Sequence, residues 1–258
     1  MTTARPVGAA LAGRAVPTAS DSLARPQVVA SLRGVAFAAR GGAHLFGPLD
    51  LELRAGELAV VTGGAATGKS VLLDLAMGAL APTAGEILTL GERLAVLDDA
   101  GLGRLRCRIG HVAQRGALLS NLSLYDNLTL PLAYHTRLAD AELLRRARVV
   151  LAELGVGVLP SGSAASASRA LARQVALARS LILEPALLVL DEPTAGMDAA
   201  LAAATWTRLR GLQHSRGLAI LAAIGTPGAP TDHADHVIAL GSPTVASSPD
   251  GVQQAATT

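Results

Sequence analysis

Hydrophobic and polar positions follow two patterns along this chain, and together they predict strands that alternate with helices. Residues 58–62 and 186–190 are continuous apolar runs, which is typical of buried parallel strands. Residues 49–53 alternate apolar and polar side chains, as a half-exposed strand does. Residues 139–154 repeat apolar side chains at helical spacing and form the clearest predicted helix. Strands and helices in alternation indicate an α/β fold.

The remaining elements are predicted from the same patterns, read together with turn and capping signals. Further strands are expected over residues 28–37, 86–90, 108–114, 218–224 and 236–240. Further helices are expected over residues 71–77, 122–155, 170–182 and 198–212, with Asp198 as the N-cap of the last. A disordered N-terminal tail over residues 1–27 and a loose C-terminal tail over residues 246–258 complete the prediction.

Composition excludes several classes of protein. The net charge is only +2, so the sequence makes no case for nucleic acid binding. Cys107 is the sole cysteine, which excludes an internal disulfide and a cysteine-cluster metal site and suits a reducing cytoplasm. Hydrophobic residues make up 50% of the chain, yet no uncharged run reaches the roughly 20 residues of a membrane helix. We therefore expect a soluble or peripheral protein, and any membrane role requires a partner.

A glycine-rich stretch between the predicted strand 58–62 and the helix after it carries the clearest chemistry. It fits the phosphate-binding pattern G-x-x-x-x-G-K-[ST] with Gly63, Gly64, Ala65, Ala66, Thr67, Gly68, Lys69 and Ser70. A helix N-terminus presents unpaired backbone N–H groups and a positive dipole end, which favour an anion. Lys69 is the only lysine in the chain; its ammonium is expected to reach the β- and γ-phosphates, and Ser70 to hold Mg²⁺. The alternative is a glycine-rich turn with an ordinary surface lysine.

A second motif stands at the end of the apolar run 186–190, which leads directly into Asp191 and Glu192. Asp191 is expected to lie in the Mg²⁺ shell. Glu192 is expected to polarise the attacking water, because in-line phosphoryl transfer needs a positioned nucleophile. Two carboxylates that merely cap an exposed strand end are the alternative, which the upstream phosphate-binding loop disfavours.

These residues resemble an ATP-binding cassette ATPase, the motor subunit of ABC transporters, over residues 28–240. The matching motifs are Walker A at 63–70, the Q-loop glutamine at Gln114, the helix after the signature at 175–179, Walker B at 187–192 and the D-loop turn at 193–198. More narrowly, residues 114–119 and 125–128 are similar to the ATPases of Mce/Mla-type lipid transporters.

The resemblance implies a P-loop NTPase (RecA-like) core with an antiparallel β subdomain and a helical subdomain inserted at about residues 115–168. The ATP-binding domain would span residues 28–245. ATP and Mg²⁺ are the implied cofactors, with Gln114 joining Ser70 and Asp191 as metal ligands and joining Glu192 as a catalytic residue. The implied partners are the transmembrane permease subunit of an ABC transporter and a second ATPase subunit, in a homodimer or heterodimer. The implied location is cytoplasmic, on the inner face of the cell membrane through the permease alone.

The signature motif departs from the family pattern. Family members carry L-S-G-G-Q before the helix at 175–179, and that register falls on Ala167, Ser168, Arg169, Ala170 and Leu171. Only the serine is retained, and the two glycine positions carry side chains. An insertion that makes residues 159–163 the signature is an alternative, but it needs several extra residues.

Three smaller departures concern other motifs. The switch histidine position falls on Gly225, and the adenine-stacking aromatic falls on Ala39, beside Arg40. Ala66 replaces a third glycine of the phosphate-binding loop. The resemblance thus implies an ATPase with slow hydrolysis, or one that needs an intact partner ATPase. A non-hydrolysing, nucleotide-gated regulatory or assembly protein is the alternative function; a DNA-repair ATPase is disfavoured, since no long coiled-coil insertion or zinc cysteines are present.

Overall fold

The computed structural model describes residues 27–39, 44–114, 118–225 and 230–241. The strands among them are β1 (Val28–Ala38), β2 (His44–Arg54), β3 (Leu58–Thr62), β4 (Ala84–Thr89), β5 (Glu92–Arg93), β6 (Ile109–Val112), β7 (Leu187–Asp191), β8 (Ala219–Ala223) and β9 (His236–Ala239). The α-helices are α1 (Lys69–Ala76), α2 (Asp99–Arg106), α3 (Leu124–His135), α4 (Asp140–Glu153), α5 (Arg169–Leu181) and α6 (Ala199–Arg216).

A five-stranded parallel sheet forms the centre of the fold, with strand order β6-β7-β8-β3-β9. Every residue of β3, β7 and β8 is buried, as their continuous apolar runs predict. Alternate side chains of these strands enter two separate hydrophobic cores, so Val189 packs on one side of the sheet and Leu188 on the other. The sheet is therefore covered on both faces.

The two cores hold different layers against the central sheet. One contains the buried leucines of α1 and the inward side chains of a four-stranded antiparallel sheet, with order β2-β1-β4-β5. The other contains the buried faces of α3, α4, α5 and α6. The expected combination of a P-loop core, an antiparallel β layer and a helical layer is confirmed, while the domain boundaries at 28–245 and 115–168 stay predictions.

The structure also differs from the sequence-based expectation at several elements. Helix α2 was not predicted, because Gly101 and Gly103 lower its helix propensity; Asp98 caps it by accepting a hydrogen bond from the Gly101 N–H at 2.7 Å. The short strand β5 was also missed. The helix expected over 122–155 is divided into α3 and α4, and Asp198 caps α6 as predicted, accepting from the Leu201 N–H.

No helix in the described part of the chain is long and apolar enough to cross a membrane. The tails predicted over residues 1–27 and 246–258 lie outside the described ranges, apart from Gln27.

Candidate nucleotide-binding site

The glycine-rich loop joins the buried end of β3 to the first turn of α1, as its sequence predicts. Gly68 is the N-cap of α1 and has φ 94°, a left-handed conformation that favours glycine. A Cβ at Gly68 would lie 2.8 Å from the Phe46 ring. A Cβ at Gly63 would lie 2.7 Å from both the Leu240 carbonyl oxygen and Thr67 Oγ1. Glycine at these two positions lets the backbone take the shape of a phosphate cradle, and no side chain caps α1 in front of it.

The Lys69 ammonium is folded back over this loop. Its Nζ donates hydrogen bonds to the carbonyl oxygens of Gly63 at 2.8 Å and Gly64 at 2.9 Å. An ammonium carries three donors, so the loop carbonyls orient the group and leave one donor for a ligand. The positive charge therefore stands at the mouth of the cradle, where an anionic phosphate would bind.

Ser70 and Asp191 bring the two sequence motifs into direct contact. Ser70 lies in the first turn of α1, and Asp191 ends β7 with only 5% of its surface exposed. The Ser70 hydroxyl donates a hydrogen bond to Asp191 Oδ2 at 2.6 Å. A hydroxyl and a carboxylate side by side are the oxygen ligands that Mg²⁺ takes beside a nucleotide, so this pair fits the implied metal.

Gln114 lines the same cavity as Lys69, Ser70 and Asp191. The cavity has a volume of about 480 Å³ and is lined by Leu45, Ala65, Ala66, Thr67, Gly68, Lys69, Ser70, Val71, Gln114 and Asp191. Gln114 is exposed just after β6, whose neighbour β7 ends in Asp191. The structure thus brings most of the predicted site residues together. Leu45 and Val71 line the cavity but were not predicted as part of the site; Ala39 does not line it, and Arg40 lies outside the described residues.

Glu192 faces a neighbouring groove rather than this cavity. It follows Asp191 directly, with φ 49°, a strained backbone conformation of the kind found at functional sites. Its carboxylate lies against Gly225, where a Cβ would approach Glu192 Oε1 to 2.8 Å. The groove, of about 370 Å³, is also lined by Trp206. The missing side chain at 225 therefore leaves the space that the glutamate occupies.

The loop in the signature register lies at the start of α5. Ser168 is the N-cap of this helix and accepts a hydrogen bond from the Leu171 N–H at 3.2 Å. Arg169 is the first helical residue and packs against Gly196, where a Cβ would meet Arg169 Cβ at 3.1 Å. Residues 159–163 lie further upstream, separated from α5 by a 3₁₀ turn. Residues 167–171 thus span the start of α5, and their identity as the signature stays a prediction.

Two comparisons with known sequences bear on this site. The family model described as ABC transporter matches residues 46–195. The lipoprotein-releasing system ATP-binding protein LolD of Chromohalobacter salexigens is 34% identical over 193 residues, which cover 74% of this chain and 81% of that protein. The intermembrane phospholipid transport system ATP-binding protein MlaF of Haemophilus influenzae is 35% identical over 162 residues, which cover 62% of this chain and 60% of that protein.

A solved structure agrees at the level of the fold. The ATP-binding cassette MJ0796, in a dimeric post-hydrolysis state bound to ADP and Pi, superposes with a TM-score of 0.76, covering 83% of this chain and 96% of that one, at 22% identity. The family model spans more than half of the chain, and its range includes the glycine-rich loop and the Asp191–Glu192 pair. The chain therefore belongs to the ABC transporter family, as one of its ATP-binding cassettes.

Proposed function

We propose that this chain binds MgATP and couples its own dimerisation, and a slow hydrolysis of ATP, to a membrane permease. The observation that carries the proposal is the 2.6 Å contact between Ser70 and Asp191, which joins the two motifs beneath the glycine-rich cradle. The two residues are 121 positions apart and on different elements, so the fold itself brings the two motifs together. Binding of one metal ion beside a phosphate would explain why Ser70 and Asp191 lie side by side.

Each residue of the site has a distinct task in this proposal. Bound MgATP would supply the phosphoryl group and the divalent charge. Lys69 binds the terminal phosphates, while Ser70, Asp191 and Gln114 hold the metal ion. Glu192 orients the attacking water and accepts its proton, for which its carboxylate must turn from Gly225 toward the cavity.

The sequence of the loop at the start of α5 supports the proposal that hydrolysis is slow. In a dimer, this loop would face the phosphates held by the partner. Arg169 and Ala170 place side chains where backbone donors must come close. A lost transition-state donor costs about 10²–10³-fold in rate. If the side chains of Arg169 and Ala170 abolish turnover altogether, the chain is a nucleotide-gated regulator, which the position of the Glu192 carboxylate in a groove outside the cavity also favours.

A lipid or lipid-bearing cargo is supported by the names of the relatives. LolD is named for lipoprotein release and MlaF for intermembrane phospholipid transport. We propose that this chain works at the inner face of the cell membrane and contacts it only through a permease. The segment from residue 114 to Asn127, which includes the exposed Leu119, is the proposed contact.

Equilibrium binding of ATP tests the central claim. Lys69→Ala should weaken MgATP binding by about 10–100-fold, because a charged hydrogen bond to phosphate is lost. Arg104→Ala, which removes an exposed positive charge from α2, is the control and should bind like the parent. Unchanged affinity in the Lys69 variant, measured by isothermal titration calorimetry, would show that the nucleotide site is assigned wrongly.

A further inference from the structure

The guanidinium of Arg173 is buried beside the proposed metal site without an acidic partner. Arg173 lies on α5, five residues after the capping Ser168, and only 9% of its surface is exposed. It takes part in no ion pair among the described residues. A charge of this kind is costly to bury, so its contacts need an explanation.

Those contacts are two hydrogen bonds to consecutive backbone carbonyls. Arg173 Nη1 donates to the Ala113 oxygen at 2.7 Å, and Nη2 donates to the Gln114 oxygen at 2.8 Å. One guanidinium thus binds the two backbone carbonyls that follow β6. These residues lie 60 and 59 positions before Arg173 in the sequence. A lysine has no such planar pair of donors and cannot reproduce the geometry.

The charges around Arg173 connect it to the site. Burial lowers the pKa of the Arg173 guanidinium below its usual value. The nearby carboxylates of Asp191 and Glu192 act in the opposite direction and partly offset this effect. Asp191 is the last residue of β7 and Glu192 follows it; β7 pairs with β6, with Val112 opposite Leu190. The guanidinium therefore lies near the adjacent ends of β6 and β7, where Gln114 and Asp191 line one cavity.

We propose that Arg173 is a positioning residue that fixes the backbone of Gln114, so that the Gln114 amide oxygen is aimed at the Mg²⁺ of a bound nucleotide. Arg173 does not touch the metal ion or the nucleotide. It acts through the Ala113 and Gln114 carbonyls, and it joins the helix that begins at the signature loop to the metal site. This inference rests on the proposed binding of MgATP and adds the residue that orients one metal ligand.

The test measures how much Mg²⁺ strengthens ATP binding, rather than turnover. The dissociation constant for ATP is measured with saturating Mg²⁺ and with EDTA, and the ratio is the metal increment. Arg173→Met should reduce this increment by about tenfold, since residues that orient a metal ligand have effects of this size. Binding in EDTA should stay within about twofold of the parent, because the phosphate cradle is untouched. Arg148→Met on the exposed side of α4 is the matched control.

A double-mutant cycle separates positioning from general damage. Gln114→Ala should reduce the metal increment by a similar factor, and the double variant should lose no more than either single variant. Arg173→Lys should not restore the increment, whereas Arg173→Gln, which keeps amide donors, should restore part of it. If Arg173→Met does not fold, the comparison of Arg173→Gln with Arg173→Lys carries the test.

Three results would overturn the inference. The first is an Arg173→Met increment equal to that of the Arg148→Met control. The second is an equal loss of affinity with Mg²⁺ and with EDTA, which a merely structural role would produce. The third is a double variant in which the metal increment falls by the product of the two single-variant factors. Failure of the parent chain to bind ATP in either condition would instead overturn the proposed function.

Discussion

Ala66 occupies a left-handed backbone position in the phosphate-binding loop, with φ 60°. A Cβ in this conformation costs about 1–2 kcal/mol relative to the right-handed region, while glycine adopts it freely. Gly68, two residues later, has φ 94° and also lacks room for a Cβ. The loop is therefore strained at one position and relaxed at the other.

Ala66→Gly should raise the free energy of unfolding by about 0.5–1 kcal/mol, since the relief of strain exceeds the added freedom of the unfolded chain. Gly68→Ala is the opposite substitution in the same loop and should be destabilising, because its Cβ would meet the Phe46 ring. Urea denaturation of the ligand-free proteins measures both changes. A loss of stability in Ala66→Gly would contradict the strain described here.

Helix α3 is anchored to the segment before it by a single buried amide. Asn127 has no exposed surface. Its Nδ2 donates to the carbonyl oxygens of Leu119 and Ser123 at 2.9 Å each, and its Oδ1 accepts from the Leu119 N–H at 2.7 Å. These three bonds tie Leu119 and Ser123, within the proposed permease contact, to α3.

Asn127→Leu should lower the free energy of unfolding by about 1–3 kcal/mol, because the three hydrogen bonds of the buried amide to Leu119 and Ser123 are lost. Asn121→Leu, at an exposed position six residues earlier, should change it by less than about 0.5 kcal/mol. Urea denaturation compares the two, and hydrogen exchange at the Leu119 amide reports the local effect. Equal stabilities would mean that the amide network contributes little.

In the proposed dimer each chain would hold only one half of the active site, so we expect the rate of hydrolysis to depend on the assembled dimer. We expect phosphate release by the purified chain alone to be weak, with the loop at residues 167–171 as the main cause. The double substitution Arg169→Gly with Ala170→Gly should raise it by about 10²-fold, because backbone donors then reach the partner's phosphates.

Steady-state phosphate release measures this effect, alone and with candidate partner ATPases. Glu192→Gln in the restored background is the control and should abolish the gain. Gly225→His by itself should not restore activity, because it leaves the side chains of Arg169 and Ala170 in place. Robust turnover by the unmodified chain, abolished by Glu192→Gln, would show that the loop at residues 167–171 does not limit hydrolysis.

Membrane association of the chain should require a permease. The proposed membrane contact runs through a permease, and the net charge of +2 gives little attraction to anionic lipid. The purified chain should therefore stay at the bottom of a flotation gradient with protein-free vesicles of phosphatidylglycerol and phosphatidylethanolamine. Flotation with the vesicles would contradict the proposed contact through a permease.

The phosphate-binding loop, the central strands and the Asp191–Glu192 pair were predictable because local sequence encodes them. Glycines allow one tight turn, and continuous apolar runs require burial on both faces. The capping of α6 by Asp198 was predictable for the same reason, since its partner Leu201 is three residues away. Helix α2 was not predicted, because its two glycines lower the helix propensity of the segment. Packing in the folded protein stabilises the helix despite this low propensity.

Contacts between distant residues depend instead on the strand order β6-β7-β8-β3-β9 and on the packing of α5. That order brings Ser70 to Asp191 and places Glu192 beside Gly225. The packing of α5 against the end of β6 puts the Arg173 guanidinium on the Gln114 backbone. Periodicity reports which face of an element is buried, but it does not report which elements meet. Such pairings arise only when long-range burial selects one arrangement of the elements.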